Sequence, residues 1–257
     1  MCLLLLAYQV NPDYPLVIAA NRDEFHRRPA APADWWPEGD ILAGRDLEAG
    51  GSWFGVNRRG RFAAVTNYRE PEPRAIGSRS RGELVVETLR SDSPGLAWLQ
   101  HLQAEAQQFS GFNLLFGDRQ GVFSFSNRSL QPAQLEPGIY GLSNHLLETP
   151  WPKVVRGKAA LEAYLHSPQL GSVEPLLVLL ADRMPASDDE LPQTGVSREW
   201  ERLLSAMFIV SPEYGTRAST VVLVDRDGQV EFAERSFDSA GLPIAERHFR
   251  FKAEEEK

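Results

Sequence analysis

With 257 residues, 42% of them hydrophobic and 24% charged, the chain has an ordinary globular composition and the length for one large buried core, which excludes a fibrous or disordered chain. A net charge of -8 argues against nucleic acid or an anionic membrane surface as partner, although arginines focused in a cleft could still receive an anionic substrate. The single cysteine rules out an internal disulfide, and no apolar run approaches the ~18 residues that cross a bilayer, so the chain reads as cytoplasmic with no membrane span.

Taken in order, Cys2 to Gln9 reads as a buried strand. Its run Leu3-Leu4-Leu5-Leu6-Ala7 is too short for a secretory signal and lacks the positive start. Asn11-Pro12-Asp13 marks a turn and Leu16 to Ala20 a second strand, a hairpin that leaves Cys2 at the end of a sheet. Phe25 to Asp40, rich in Pro, Ala and Trp, is expected as a long loop covering a site. Ser52 to Val56 and Phe62 to Asn67 form a hairpin closed by Asn57-Arg58-Arg59-Gly60. Arg69 to Arg81 reads as a loop, and Gly82 to Leu89 and Gly95 to Gln107 as helices. Phe112 to Phe116 and Val122 to Ser126 make another hairpin. Lys153 to Leu165, Val173 to Asp182 and Arg198 to Ser205 are expected helices. Ser219 to Val224 and Val230 to Glu234 return to strand, and the polar tail Lys252 to Lys257 is expected to fray. Strands, then helices, then strands, joined mostly by tight turns, point to one α+β domain over 1–257 with mainly antiparallel sheet.

Common cofactor and nucleophile motifs are missing. The chain has no Gly-x-Gly-x-x-Gly, no phosphate-binding loop, no Gly-x-Ser-x-Gly elbow and no metal-ligand spacing among its five histidines. No cofactor or resident metal is therefore expected. Cys2 remains. If Met1 is removed, Cys2 bears its own α-amine, with an ordinary pKa of about 7.7–8.0 against about 8.5 for the thiol, so the amine can act as base for the thiol. From position alone, a small buried thiol at a strand start is the commoner use.

Asn21-Arg22-Asp23-Glu24 follows the second strand and so lies near Cys2, where a guanidinium favours thiolate and a carboxylate can hold the amine. Arg22 and Asp23 are adjacent, so on a continuing strand their side chains point to opposite faces, and both reach Cys2 only if a turn begins there. Asn67, Asn127 and Asn144 each end a strand. Asn127 reads as a turn former. For Asn67 and Asn144, turn formation and donation to an oxyanion both stand. Arg217, before a late strand, could grip a carboxylate or belong to a loop closed by hydroxyls. Trp35-Trp36 could line an apolar pocket, and Gly50-Gly51-Ser52-Trp53 is a turn that lets an aromatic sit close to other chain, although such tryptophans are more often core or lid packing.

These residues carry a resemblance. Met1-Cys2, Asn21-Arg22-Asp23-Glu24, Gly50-Gly51-Ser52-Trp53, Gly111-Phe112-Asn113-Leu114, Leu142-Ser143-Asn144, Trp151-Pro152-Lys153 and Tyr214-Gly215-Thr216-Arg217 resemble the NRDE family, also called the transport and Golgi organization protein 2 family. The resemblance implies a four-layer αββα sandwich of the N-terminal-nucleophile (Ntn) hydrolase type, similar to choloylglycine hydrolases and penicillin acylases. It implies Cys2 as nucleophile and base, Arg22 and Asp23 tuning thiol and amine, Asn67 and Asn144 as oxyanion donors, and Arg217 orienting the site. Asn21, Glu24, Trp35, Trp36 and Trp53 are the expected substrate-binding residues. The expected activity is hydrolysis of a small acyl amide or thioester.

Two alternatives rest on the family association alone. One is a non-enzymatic haem or lipid/acyl-CoA carrier on the same fold, with Phe25, Trp35 and Trp36 lining a cleft and Cys2, His26 or His145 as iron ligands. The other is a trafficking partner protein.

Overall fold

The computed structural model describes residues 2–70 and 78–254. The first hairpin pairs β1 (Cys2–Tyr8) with β2 (Leu16–Phe25), antiparallel and in register from Cys2 opposite Arg22 to Tyr8 opposite Leu16. β2 runs on past Ala20 through the whole polar stretch Asn21-Arg22-Asp23-Glu24, so no turn begins there. The expected loop Phe25 to Asp40 is a correction: it contains β3 (Ala30–Trp35), which pairs with β4 (Ile41–Asp46). Their pairing is irregular between Ala31 and Asp34, around Pro32, as expected of a proline confined to an edge strand.

β5 (Phe54–Asn57) and β6 (Phe62–Asn67) follow as the expected hairpin. Helix α1 (Arg81–Arg90) begins with a capping box: the Ser80 hydroxyl accepts the Gly82 N–H, and the Glu83 carboxylate accepts the Ser80 N–H. α2 (Gly95–Glu105) ends in a short 3-10 turn. β7 (Phe112–Asp118), β8 (Gly121–Ser126), the two-residue β9 (Ala133–Gln134) and β10 (Gly138–Leu142) come next. Helices α3 (Pro152–Leu165), α4 (Glu174–Leu180) and α5 (Arg198–Leu204) precede β11 (Tyr214–Val224), β12 (Gln229–Phe237) and β13 (Pro243–Lys252). The tail is not frayed as far as Glu254: the Ala253 N–H donates to Gly228 and the Glu254 N–H to Arg58.

The strands form two wholly antiparallel sheets, ordered β10-β1-β2-β11-β12-β13 and β3-β4-β5-β6-β7-β8-β9. Strand alternation assigns their faces. Leu4, Leu6, Ile18, Phe54, Phe62, Val222 and Phe232 fill the space between the sheets. Leu3, Leu5, Val17, Ala19 and Val221 pack outward on Val154 and Leu161 of α3 and Leu176 and Leu180 of α4. Ala63, Val65, Leu114, Phe116 and Phe123 pack outward on Leu84, Val85 and Leu89 of α1 and Trp98 of α2. The layers are therefore helix, sheet, sheet, helix, the αββα sandwich expected. Among the described residues, no helix is long and apolar enough to cross a membrane.

Candidate active site

The site lies at the end of the sandwich where β1 starts and β2, β6 and β10 finish. Two hydroxyl and amide contacts tie the sheets together there. The Thr66 hydroxyl donates to the Ser143 carbonyl at 2.7 Å, and the Asn144 amide donates to the Asn67 carbonyl at 2.9 Å. The Ser143 hydroxyl donates to the Cys2 carbonyl at 3.0 Å, fixing the backbone of the first strand. Asn113 supports this knot, its amide donating to Thr66 and to the His145 carbonyl.

Because Cys2 pairs directly with Arg22, both point to the inter-sheet face. Arg22 is 4% exposed. Its guanidinium lies 3.3 Å from Asp46 and 4.3 Å above the Trp53 ring. Asp46 also takes Arg28 at 2.6 Å and accepts the Glu48 and Ala49 N–H groups. Burial notwithstanding, these partners hold its carboxyl below the ordinary value. Trp53 reaches Arg22 over Gly44, where a Cβ would stand 2.3 Å from its ring. Gly51 likewise leaves room for the backbone of Gly82, which brings the start of α1 against the site.

Asp23 faces the other way, toward the helical layer. It is 1% exposed and accepts the Thr216 hydroxyl at 2.7 Å, while the Tyr214 hydroxyl donates to its carbonyl. Burial raises its carboxyl pKa, and the ammonium of Lys153 is the chief opposing influence. The two adjacent residues thus divide the work: Arg22 meets the thiol from within the sandwich, and Asp23 acts from behind, its backbone N–H donating to the thiol. Burial pushes the Cys2 thiol up, and the Asp23 carboxylate adds to this, while Arg22 opposes it.

A cavity of about 190 Å³ opens at the thiol, bounded by Cys2, Arg22, Asp23, Glu24, Trp53 and Asn67, with Arg81 from α1. Its neighbour, about 390 Å³, shares Glu24, Asn67, Arg81 and Ser110 with it and is walled by Phe25, Tyr68, Asn144, Trp200 and Tyr214. Together they make one cleft with a polar end at the thiol and an aromatic far end.

Four expected site residues lie elsewhere. Asn21 is buried on the helical face, its amide donating to the Leu180 and Met207 carbonyls and its oxygen accepting Ser219. Trp35 packs on Phe251 and under Arg58 rather than in the cleft. Trp36 is buried under the helices, with its indole N–H on the Ala43 carbonyl. Arg217 occupies the irregularity between Thr216 and Ala218 in the β11–β2 pairing and donates to the carbonyls of Phe25, His26 and Arg28, stapling the turn after β2. Asn127 is a turn staple, as read, holding the Phe112 N–H and three carbonyls. Of the histidines considered for iron, His145 has both ring nitrogens engaged, by Tyr68 and Thr149, and His26 contacts the Ser211 carbonyl. Among the described residues, no group of three or more His, Cys, Asp or Glu side chains could hold a metal ion.

Two residues near the site escaped the sequence reading. Lys153, the second residue of α3, is 1% exposed, and its ammonium makes no hydrogen bond among the described residues. Burial pulls it down to about 8, against the pull of Asp23. Arg81 is the first residue of α1. Both cations stand in the first turn of a helix, where the dipole disfavours positive charge, and that mismatch is the signal by which they could have been found.

The model of the family "Transport and Golgi organisation 2" matches residues 1–239. A Bos taurus protein named transport and Golgi organization protein 2 homolog is 40% identical over 260 residues, covering 92% of this chain and 93% of its own. The Homo sapiens homolog is 36% identical over 257 residues with the same coverage, and the Drosophila melanogaster protein 31% identical over 265 residues, covering 92% of each. Among solved structures, the C2A mutant of conjugated bile acid hydrolase from Clostridium perfringens aligns over 98% of both chains at 12% identity and a TM-score of 0.47. A Caenorhabditis elegans N-acylethanolamine-hydrolyzing acid amidase ortholog aligns over 86% of this chain and 92% of its own at 10% identity and a TM-score of 0.42. With a family match over nearly the whole length and relatives of this identity, the chain belongs to the Transport and Golgi organisation 2 family.

Proposed function

We propose that this protein is a cysteine N-terminal-nucleophile hydrolase, amidase- or acylase-like, acting on a small acyl amide or thioester. The observation that carries the reading is Cys2 at the mouth of a strand, facing Arg22, in a cavity that Asn67 also lines. Removal of Met1 frees the Cys2 α-amine, which takes the thiol proton as sulfur attacks the acyl carbon. Asn67 carries no side-chain hydrogen bond among the described residues, so its amide is available to the developing oxyanion, and Asn144 braces the Asn67 backbone from the other sheet. The amine or thiol leaves with the proton from the α-ammonium. Water, activated by the same amine, then hydrolyses the Cys2 thioester.

Intact-mass measurement of the protein from its native host should find Met1 absent. Cys2→Ala should abolish turnover of a panel of acyl amides and thioesters, with the circular dichroism spectrum unchanged. Turnover retained by that variant overturns the reading.

A further inference from the structure

Among the described residues the thiol cavity of the cleft is bordered by four arginines: Arg22, Arg28, Arg79 and Arg81. Three are committed to carboxylates. Arg22 is held by Asp46, Arg28 by Asp46 and Glu48, and Arg79 by Glu83, Glu87 and Glu105. Arg81 is different. Among the described residues it makes no ion pair, and its one hydrogen bond runs from Nη1 to the Gly111 carbonyl at 3.1 Å. Glu24 and Glu70 are the carboxylates whose charge reaches it. Glu70 is gripped by Arg128 at 2.8 and 2.6 Å, and Glu24 accepts the Phe25 N–H at 2.9 Å. Burial lowers the guanidinium pKa without neutralising it, so a desolvated cation with an open donor edge stands at the waist of the cleft. It borders both the thiol end and the aromatic end.

A guanidinium in this state lacks what a carboxylate supplies: two parallel acceptors that match its fork. We propose that Arg81 is the substrate-carboxylate receptor, and that the protein acts on acyl compounds carrying a free carboxylate close to the scissile bond, with an apolar or aromatic portion in the lobe of Phe25, Tyr68, Trp200 and Tyr214. This rests on Cys2 being the nucleophile. The overall charge of -8 repels such a substrate at a distance, so the preference has to be local.

Iodoacetate and iodoacetamide alkylate the same thiolate and differ only in carboxylate against amide, so the ratio of their rates at Cys2 is independent of the thiol pKa. The rates are read by mass spectrometry on the full-length protein in 0.5 M NaCl, where long-range steering is screened within about 4–5 Å. In the wild type both reagents should modify Cys2. In Arg81→Gln the iodoacetate-to-iodoacetamide ratio should fall by about tenfold or more, the size of a charge-assisted hydrogen bond withdrawn from a desolvated anion. Arg81→Lys, which keeps the charge without the fork, should fall between. An unchanged ratio in folded Arg81→Gln overturns the carboxylate assignment alone. If both variants lose the native circular dichroism spectrum, Arg81 is a structural residue and the assignment also falls. If Cys2 in the wild type reacts with neither reagent, the nucleophile reading fails and takes this one with it.

Discussion

Lys153 holds a charge where charge is costly. Its ammonium is buried, near Asp23 but hydrogen-bonded to nothing among the described residues, and it titrates at about 8 against an ordinary 10.5. Below pH 8 the folded and unfolded chains both carry the proton and the full penalty stands. Between pH 8 and 10.5 only the unfolded chain does, so stability rises with pH. Lys153→Met removes that titrating group and, with it, the cation that offsets the buried Asp23 carboxylate, so the rise in stability between pH 8 and 10.5 should flatten, as urea unfolding at pH 7 and pH 9.5 would measure. A buried amine kept against that gradient is the kind of group retained for a site rather than for the fold.

At the scale of elements, the close approach of Trp53 across Gly44 in β4 decides how firmly Arg22 is held. Gly44→Ala places a methyl 2.3 Å from the indole. The ring must leave its place under Arg22, with an expected loss of about 1–3 kcal/mol and a changed rate of Cys2 alkylation, read by urea unfolding and mass spectrometry. The sequence made the elements with strong apolar runs legible: β1, the β5–β6 and β7–β8 hairpins, and all five helices. It hid β3, because Ala30-Ala31-Pro32-Ala33 has low strand propensity and depends on β4 for its pairing. It hid β13 behind charges, although Phe249 and Phe251 alternate and tuck into the inter-sheet core. Cys2 beside Arg22 was readable from hairpin register. Asn21 and Arg217 were misplaced for one reason: a polar residue near a site looks the same in sequence whether it faces a ligand or staples backbone. Only the strand face of Asn21 and the β11 irregularity at Arg217 separate the two uses.

Across the whole molecule, the two sheets meet at a second polar contact. The Glu234 carboxyl on β12 accepts the Ala33 N–H of β3 at 2.7 Å and contacts the Thr220 hydroxyl at 3.2 Å. Burial pushes it up to about 7 from an ordinary 4.5. Below pH 4.5 the proton is bound in both states. Between there and 7 the unfolded chain ionises and the folded one does not, so stability falls as pH rises, by about 3 kcal/mol at most. Glu234→Gln should flatten the dependence of Tm on pH between 5 and 8; a curve that keeps its slope would place the sensitive group elsewhere.

The knot of Thr66, Asn67, Ser143 and Asn144 also makes the cleft a gauge of how the two sheets lie on each other. Cys2 rides on one sheet and Asn67 on the other, so any sliding of the layers changes the gap between nucleophile and donor ångström for ångström. Dense packing passes such displacements on rather than absorbing them. Rings that set the layer spacing far from any ligand, such as Phe54 against Phe232 at 6.3 Å, act as shims for the reaction geometry. Trimming them would be felt as misalignment at the thiol long before it was felt as loss of fold.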